Sequence, residues 1–381
     1  MKIAFAVALV LLTGTRAVAG SQVPTAEPAQ LTDLSSILEP IRAKHDIPAL
    51  AGAIVSRGEL EAIGVCGVRE RGGEVAVTID DRFHLGSCTK AMTATLCAIL
   101  VEKGQLTWEG SVADSFGSAV AKQSPAWKDV QLQHLLTNRS GAPGNLDADG
   151  LWASLWASKE KPAGQRLLLA RGVLGREPEA AAGARYIYSN AGFSLAGAMA
   201  ERAAKLDFEA LMQRELFAPL GMDSAGFGPP GDGKKLSQPL GHTSKGVAVP
   251  WGVRADNPAA IAPAGRVHCT IGDWAKFIAL HVDAENGRPR LLSPESFARL
   301  HAPAAGEGQA YAMGWVVTER SWAGGTVLTH SGSNTMWYAV AWLAPKKDFA
   351  VLVCANQGGD VAQKACDDAA SALIQAHGRQ R

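Results

Sequence analysis

The amino-acid sequence predicts an α/β (α+β) protein: a mixed, mainly antiparallel sheet built from both chain ends and flanked by helices, with an inserted all-helical lobe. Three observations predict it. Strand-like runs occur near residues 49–67 and return near residues 325–357, and apolar residues recur at helical spacing from about residue 89 to residue 204. Because strands lie toward both ends of the chain, the helical part is expected as an insertion.

The N-terminal part of the predicted sheet follows an amphipathic helix over Leu31–His45. The stretch ALAGAIVSRGELEAIGVCGVRE then predicts a β-hairpin that turns at Arg57-Gly58. From Thr89 onward the strand pattern gives way to helices, broken by clusters of Gly, Pro and Asn such as NRSGAPGN. Residues 226–266 are expected to form a long irregular connection before a helix near Ile271–Val282.

The C-terminal part supplies three β-rich runs, GTVLTHSG, MWYAVAWLA and DFAVLVCANQ, of which the last two are joined by the turn PKKD. A closing helix is expected from about residue 361 to residue 376. We therefore predict one domain over residues 31–376. Its sheet lobe would comprise about residues 31–86 and 265–376, and its helical lobe about residues 87–264.

The composition excludes one class of partner. The chain has 381 residues, of which 47% are hydrophobic and 19% charged, ordinary values for a globular protein. Lys and Arg number 37 against 36 Asp and Glu, without blocks of like charge. Because nucleic-acid binding needs a concentrated basic surface, we expect no nucleic-acid partner.

The N-terminus has the pattern of a secretory signal peptide. Lys2 precedes an apolar run over Ile3–Leu12, and the small residues Ala17-Val18-Ala19 follow, which predicts cleavage near Ala19. The apolar run is about half the ~20 residues needed to span a bilayer. We therefore expect residues 1–19 to be removed, residues 20–30 to form a flexible lead-in, and the mature protein to be periplasmic or secreted without a membrane anchor.

The cysteines and histidines do not predict a metal site or a particular disulfide. Six thiols allow fifteen pairings, of which the sequence excludes only Cys88 with Cys97, because nine residues of helix separate them by about 13 Å. We expect most of the six to be small buried apolar residues. No Cys pair has a zinc-binding spacing, and no two of the nine histidines stand four apart on a helix, so no metal is expected.

A candidate nucleophile lies in FHLGSCTKAMTATLCAILVEKG, where a short strand, a turn at Gly86 and a long apolar helix follow one another. Ser87 stands at the helix start, where a hydroxyl could serve only as an N-cap. Lys90, three residues later, falls on the same helix face. Burial and the helix dipole both favour a neutral lysine there, which could accept the serine proton.

A second Ser-x-x-Lys pattern, Ser158 to Lys161, lacks these surroundings. It lies in the polar string SKEKP, and no apolar helix follows that would bury the lysine. The proline disfavours helix at the residue before it. Position therefore favours Ser87 over Ser158 as the nucleophile.

Two further segments carry candidate site residues. Tyr188 and Asn190 directly precede an apolar helix, where they could equally be a core tyrosine and a helix cap. His330-Ser331-Gly332 ends a β-rich run, where it could equally be a turn. The missing side chain of Gly332 would let a substrate lie against the strand edge.

Together and in this order, the three segments resemble the serine hydrolases of the class C β-lactamase and DD-peptidase family. The segments LLTNRSGAP, RELFAPLGM, LLSPESF and YAMGWVV are also similar to connecting segments of that family, so the resemblance covers roughly residues 31–370. It implies the β-lactamase/transpeptidase-like fold and an acyl-enzyme mechanism without a cofactor. No Gly-x-Ser-x-Gly elbow of an α/β-hydrolase occurs.

The resemblance also implies roles for individual residues. Ser87 would be the nucleophile, Lys90 its partner, and Tyr188 would share proton transfer with the leaving group. Asn190 would hold the substrate amide, and the backbone N–H groups of Ser87 and Ser333 would form an oxyanion hole. A small-molecule or short-peptide substrate is expected: a β-lactam, a D-Ala-D-Ala peptide or an ester.

Two positions depart from the family pattern. His330 stands where many β-lactamases have lysine, a departure shared by DD-carboxypeptidases, D-amino-acid amidases and esterases of the wider family. A histidine with an ordinary pKa near ~6.5 would attract a substrate carboxylate only at lower pH. Asn138 stands where the family commonly has histidine. A family VIII-type carboxylesterase, an amidase, or a penicillin-binding sensor that does not hydrolyse its ligand therefore remain alternatives to a β-lactamase or DD-peptidase, and the oligomeric state is open.

Overall fold

The structure of the protein is a computed structural model, and it describes Met1 and residues 31–233 and 235–379. The predicted signal peptide and lead-in lie outside the described residues, apart from Met1. No helix of the described ranges is long and apolar enough to cross a membrane.

The central feature is a mixed seven-stranded sheet made from both ends of the described chain; a three-stranded sheet, β4-β8-β5, and a two-stranded sheet, β6-β7, accompany it. The strands of the three sheets are β1 (Thr32–Asp33), β2 (Ala49–Ser56), β3 (Glu59–Gly67), β4 (Arg82–His84), β5 (Gly226–Phe227), β6 (Gly241–His242), β7 (Ala248–Val249), β8 (Val267–Thr270), β9 (Val316–Arg320), β10 (Gly325–Ser333), β11 (Tyr338–Ala344) and β12 (Phe349–Ala355). The large sheet has the order β1-β3-β2-β12-β11-β10-β9. Only β1 with β3 is parallel in it, which confirms the predicted mainly antiparallel sheet.

Helices cover both faces of this sheet and fill the middle of the chain. They are α1 (Ser35–Lys44), α2 (Thr89–Glu102), α3 (Val112–Phe116), α4 (Leu132–Leu136), α5 (Leu151–Ala157), α6 (Pro162–Leu174), α7 (Asn190–Ala204), α8 (Phe208–Met212), α9 (Ala218–Leu220), α10 (Ala262–Gly265), α11 (Ile271–Glu285), α12 (Pro294–His301) and α13 (Gly359–Arg379). Helices α1 and α13 pack on one face of the sheet, and α11 packs on the other. The predicted flanking helices and helical insertion are confirmed.

Strand β2 is buried along its whole length because both of its faces are covered. On one face Leu50 and Ile54 pack in a core with α1 and α13. On the other face Ala53 and Val55 belong to the larger core, which continues into the helical insertion. A strand covered on both sides is apolar at successive positions, which explains the weak alternation of this segment.

The first helix begins later than predicted. Thr32 and Asp33 pair in parallel with β3, so this segment is a short edge strand instead of the first helical turn. The Asp33 carboxylate then accepts the backbone N–H of Ser35 at 2.9 Å, which satisfies one of the free donors at the helix start. A capping interaction therefore fixes the boundary that periodicity alone places too early.

Helix α2 positions the candidate site. Twelve of its residues, from Thr89 to Leu100, are buried, so the helix runs through the core instead of along the surface. It packs against α7 and α10 of the insertion, while the turn before it contacts β10. Residues at the start of α2 therefore lie where the helical insertion meets the sheet.

All six cysteines are free thiols, and only Cys66 is partly exposed.

Candidate active site

Two glycines bring the turn of Ser87 against strand β10. Ser87 lies in a 3-10 turn over Gly86–Cys88, directly before α2. A Cβ on Gly86, whose φ is +51°, would lie 2.3 Å from the Ser333 nitrogen. A Cβ on Gly332 would lie 2.0 Å from the Leu85 oxygen. Such distances are impossible, so both positions require glycine for the two backbones to touch.

This contact gives Gly332 a role different from the predicted one. The sequence suggests that the missing side chain leaves room for a substrate. In the structure that space is filled by protein backbone, since the Ser87 nitrogen would lie 2.5 Å from a Cβ at Gly332. The glycine therefore holds the nucleophile turn next to the strand.

Lys90 is fully buried and its ammonium nitrogen contacts Ser87. Its Nζ lies 3.1 Å from Ser87 Oγ, 2.8 Å from Asn190 Oδ1 and 2.8 Å from the Ala264 carbonyl oxygen. Burial lowers the pKa of Lys90 to about 7. A substantial fraction of the side chain is then neutral at physiological pH, and a neutral amine can accept the Ser87 proton.

Tyr188 lies over the same lysine. Its ring centroid is 4.7 Å from Lys90 Nζ, and its phenol interacts with the Ser87 hydroxyl. Desolvation raises the pKa of this phenol well above its ordinary value, although the Ser87 contact opposes the shift. The residue as a whole is 37% exposed, so part of it is accessible to an incoming ligand. Tyr188 therefore supplies a neutral hydroxyl group beside Ser87.

Asn190 is the first residue of α7, and its side-chain oxygen is used by Lys90. The helix cap is the neighbouring Ser189, whose Oγ accepts the Gly192 N–H at 3.0 Å. This separates the two sequence interpretations, because the capping role belongs to Ser189 and leaves Asn190 free to face the lysine. The structure thus brings Ser87, Lys90, Tyr188 and Asn190 together.

Asn138, which stands where the family commonly has histidine, supports the Tyr188 segment. It adopts a left-handed conformation with φ +56°, which asparagine tolerates better than most residues. Its Oδ1 accepts the Ser189 N–H at 3.0 Å, and its carbonyl oxygen accepts the Ile187 N–H at 2.8 Å. Asn138 therefore holds the backbone on both sides of Tyr188.

The edge of β10 beside the nucleophile turn is available to a ligand. Strand β9 pairs with β10 only as far as Thr329, so no described strand pairs with the β9 side of residues 330–333. Ser333 ends this stretch next to Gly86. Backbone donors on an unpaired strand edge can bind the carbonyl group of a substrate.

The Ser331 side chain lies on the sheet face of Tyr338, and the prediction that Ser331 binds substrate stays a prediction. The Ser331 hydroxyl interacts with Tyr338, which packs in the core on the α1 and α13 side of the sheet. Successive residues of a strand face opposite sides, so Ser331 points away from the face of His330 and Gly332. Only the backbone of Ser331 borders the site.

His330 is buried and engaged at both ring nitrogens. The residue is only 4% exposed. Its Nδ1 lies 2.6 Å from the Ser331 carbonyl oxygen, and its Nε2 lies 3.0 Å from the Tyr311 hydroxyl. A carbonyl only accepts, so Nδ1 carries the proton and Nε2 accepts from the Tyr311 hydroxyl. The ring is therefore a neutral tautomer held by its neighbours.

The expectation that His330 titrates near pH 6.5 is wrong. Burial and the nearby Lys90 lower the pKa of His330 to about 3, although the Ser331 carbonyl opposes the shift. The imidazole is then uncharged across the useful pH range. His330 is not a cationic anchor for a substrate carboxylate, and this correction follows from burial that the sequence did not reveal.

Two alternative nucleophiles lack the required surroundings. Cys88 is buried, its Sγ lies 3.4 Å from the His330 carbonyl oxygen, and burial raises its pKa. Ser158 ends α5 in an extended conformation, with its Oγ accepting the Glu160 N–H at 3.2 Å. Lys161 is exposed, so no buried base accompanies Ser158.

Sequence reasoning missed two groups that complete the site. The Ala264 carbonyl, which accepts from Lys90, is 174 residues away in the chain. The fully buried Tyr311 fixes the His330 ring from a segment that resembles an ordinary connection. No local pattern marks either group. No group of three or more His, Cys, Asp or Glu side chains within the described ranges could hold a metal ion.

Comparison with known proteins gives consistent matches over most of the chain. A family model described as Beta-lactamase matches residues 34–376. Penicillin-binding protein 4 of Amycolatopsis lactamdurans is 26% identical, over 84% of this chain and 83% of that protein. An unguisins hydrolase of Aspergillus violaceofuscus is 24% identical over 81% of this chain, which spans 58% of that longer protein. The crystal structure of D-alanine carboxypeptidase AmpC from Burkholderia cenocepacia has the same fold, with a TM-score of 0.69, 21% identity, and coverage of 89% of this chain and 96% of that one.

Proposed function

The chain belongs to the beta-lactamase family, and from this premise we propose that it is an exported serine hydrolase that forms an acyl-enzyme on Ser87. One observation carries the proposal: the fully buried Lys90 places its Nζ 3.1 Å from Ser87 Oγ with its pKa lowered to about 7. A buried charge is costly, and the contacts of Lys90 are to the neutral groups of Ser87, Asn190 and Ala264, so this site favours a neutral lysine. A base for a serine nucleophile needs this arrangement.

The first chemical step follows from the geometry. Ser87 Oγ attacks the carbonyl carbon of an amide, β-lactam or ester, and neutral Lys90 accepts the hydroxyl proton. The negative charge that develops on the carbonyl oxygen is stabilised by the N–H groups of Ser87 and Ser333. Such a donor is worth on the order of 3 kcal/mol in the transition state.

Collapse of this intermediate releases the leaving group. Tyr188, neutral because its pKa is raised, donates a proton to the departing nitrogen or oxygen, and the proton held by Lys90 restores it. The carbonyl carbon remains esterified to Ser87. Water then attacks the ester, the same two residues remove its proton, and the acid product leaves with Ser87 regenerated.

Asn190 is proposed to orient the substrate. Its Oδ1 is occupied by Lys90, so its NH₂ group is the part that can donate to a substrate carbonyl. The unpaired edge of β10 would hold the other side of the substrate by backbone hydrogen bonds. This arrangement suits a small molecule or a short peptide.

The neutral His330 favours a second candidate, a family VIII-type carboxylesterase or D-amino-acid amidase. A cation at this position would attract the carboxylate of a β-lactam or of a peptide C-terminus. With the pKa of His330 near 3, that attraction is missing, and a neutral ester loses nothing by it. β-Lactamase and DD-peptidase activities remain the first candidate because the relatives of this chain include a penicillin-binding protein, and because the chain shares its fold with a D-alanine carboxypeptidase.

A substrate panel with labelling tests both candidates. Nitrocefin, a p-nitrophenyl ester and a D-Ala-D-Ala peptide measure turnover, and a fluorescent penicillin measures covalent acylation. Ser87→Ala is expected to abolish both, while the matched variants Cys88→Ala and Ser158→Ala stay active. Labelling without turnover of any substrate would instead support a penicillin-binding sensor. Activity retained in Ser87→Ala would refute the mechanism.

The proposed location has its own test. Expression of the full chain with a tag at its C-terminus, followed by mass spectrometry of the mature N-terminus, should give a protein that starts near Gly20. An intact Met1 on the purified protein would contradict the signal peptide.

A further inference from the structure

A buried carboxylate lies behind the nucleophile turn. Asp256 is 1% exposed and His84 is fully buried, and His84 Nε2 lies 2.9 Å from Asp256 Oδ2. The other ring nitrogen, Nδ1, accepts the backbone N–H of Gly86 at 3.1 Å. An imidazole nitrogen that accepts has no proton, so Nε2 carries the proton and donates it to Asp256. His84 thus links the turn of Ser87 to a fixed anion.

The same carboxylate binds the strand on the opposite side of the proposed oxyanion hole. Asn334 directly follows Ser333, and its Nδ2 donates to Asp256 Oδ1 at 3.0 Å. Asn334 Oδ1 in turn accepts the Met336 N–H at 3.2 Å, and this local hydrogen bond stabilises the turn just after β10. The side chain of Asn334 is 2% exposed, so this contact is not replaceable by solvent.

A third arm reaches the segment that holds Lys90. Arg266 Nε donates to Asp256 Oδ2 at 3.0 Å, two residues after the Ala264 carbonyl that accepts from Lys90. The backbone N–H of Asn257 donates to Asp256 Oδ1 at 2.8 Å. Each donor therefore meets an oxygen of this one carboxylate, and two of them, His84 and Asn334, come from segments distant from Asp256 in sequence.

We infer that Asp256, through His84 and Asn334, positions the two halves of the oxyanion hole relative to Lys90. The inference rests on the proposed function, because it assigns the Ser87 and Ser333 N–H groups to the reacting carbonyl oxygen. Asp256 is a positioning residue, since its carboxylate is buried and acts through the side chains of His84, Asn334 and Arg266. Its effect is to fix the separation of two donors that come from different elements.

The charges in this cluster support that function. Burial by itself raises the pKa of a carboxyl group, yet His84 and Arg266 lower the pKa of Asp256 to about 2. The carboxylate therefore stays ionised at working pH and accepts from all of its donors. Arg266 compensates its charge, so the cluster does not oppose the negative charge that forms on a substrate oxygen nearby.

Replacing Asp256 with asparagine keeps the volume but removes one acceptor. The NH₂ group of the new side chain must then face either Asn334 Nδ2 or the His84 and Arg266 donors, and donors repel one another. One half of the oxyanion hole loses its support in either orientation. Removal of a whole oxyanion donor costs about 10²–10³-fold in rate, so displacement of one should cost about 10–100-fold.

The test compares Asp256→Asn with Asp283→Asn, a buried carboxylate that binds Arg288 and Arg290 and none of the residues assigned to the site. The acylation rate with fluorescent penicillin and kcat and KM with a p-nitrophenyl ester are measured on folded protein, together with the midpoint of thermal unfolding. Asp256→Asn should lower the acylation rate and kcat by about 10–100-fold with KM changed by less than about threefold, because the donors act mainly in the transition state. Asp283→Asn should lower stability and leave the rates within about twofold.

Two variants of His84 keep the test decisive if Asp256→Asn does not fold. His84→Gln retains a donor near the Nε2 position for Asp256, and His84→Asn retains an acceptor near the Nδ1 position for Gly86. Each breaks one link, so both should slow acylation. A wild-type acylation rate in folded Asp256→Asn, or in both His84 variants, would overturn the inference. A wild-type protein that reacts with no substrate or penicillin would overturn the proposed function and the inference with it.

Discussion

The buried lysine makes a quantitative prediction about pH. An ordinary lysine with a pKa of 10.5 is neutral in about one molecule in 3000 at pH 7, whereas burial lowers the pKa of Lys90 to about 7 and makes about half of the molecules neutral. The step from 10.5 to about 7 corresponds to about 5 kcal/mol between the protonated and neutral forms. Lys90 accepts the Ser87 proton only when neutral. Activity should therefore rise with pH through this titration.

The expected size of the rise follows from the neutral fraction. At pH 5 about 1% of Lys90 is neutral and at pH 9 about 99%, so kcat/KM for a neutral ester should increase about 100-fold and level off above about pH 8. His330, with its pKa lowered to about 3, and Tyr188, with its pKa raised, do not titrate in this interval. A single ascending limb is therefore expected.

The assay follows ester hydrolysis at the isosbestic wavelength of nitrophenol and nitrophenolate, with Ser87→Ala measured at each pH as the background. The ¹³Cε resonance of Lys90, assigned by its loss in Lys90→Met, should titrate with the same midpoint. A flat rate profile between pH 5 and 9 would refute the assignment of Lys90 as the base. A lysine resonance that titrates near 10.5 would show that burial does not neutralise it.

Three further outcomes are expected. Lys90→Met should abolish turnover and raise the free energy of unfolding by about 1–4 kcal/mol at pH 6, with a smaller gain at pH 10. Because the pKa of Lys90 is lower in the folded than in the unfolded state, the cost of burying its charge is full below pH 7 and decreases as the pH rises toward 10.5. Melting curves of the variant and the wild type that coincide at pH 6 would contradict this. Tyr188→Phe should fold normally and lose about 100-fold or more in kcat, measured with the ester and nitrocefin, whereas a wild-type rate would reduce Tyr188 to packing. Anionic nitrocefin and a neutral ester should show parallel kcat/KM profiles from pH 5 to 9, because the pKa of His330 is about 3; a decline near pH 6.5 for nitrocefin alone would restore His330 as an anchor.

The sequence was sufficient for the parts of the site that are local. The spacing of Ser87 and Lys90, one helical turn apart after a turn glycine, correctly predicted that the two side chains are neighbours. Burial of Lys90 could also be predicted, because α2 is apolar along its length and leaves the lysine no exposed side. The order of segments also predicted the sheet correctly, since apolar strands at both ends have only each other to pair with.

The same reasoning failed where the environment comes from distant residues. The pKa of His330 depends on Tyr311 and on burial beneath the site, and neither can be read from HSG. The orientation of Ser331 depends on which strand residues face α13, so a one-residue error moves a side chain to the opposite face of the sheet. Asp256 lies in a segment predicted to be irregular, and only the folded chain brings it to His84 and Asn334.

The pairing of β2 with β12 has a consequence for how the chain acquires its structure. Ala53 lies opposite Leu352, so about 300 residues must be synthesised between two strands that are neighbours in the sheet. Until β12 is present, the apolar β2–β3 hairpin has an open edge, the kind of edge that recruits other chains and aggregates. Contacts of such long sequence separation also make folding slow. A chain shortened before Phe349 would therefore still contain Ser87 and Lys90. It would lack β12, the central strand that joins β2 to β11.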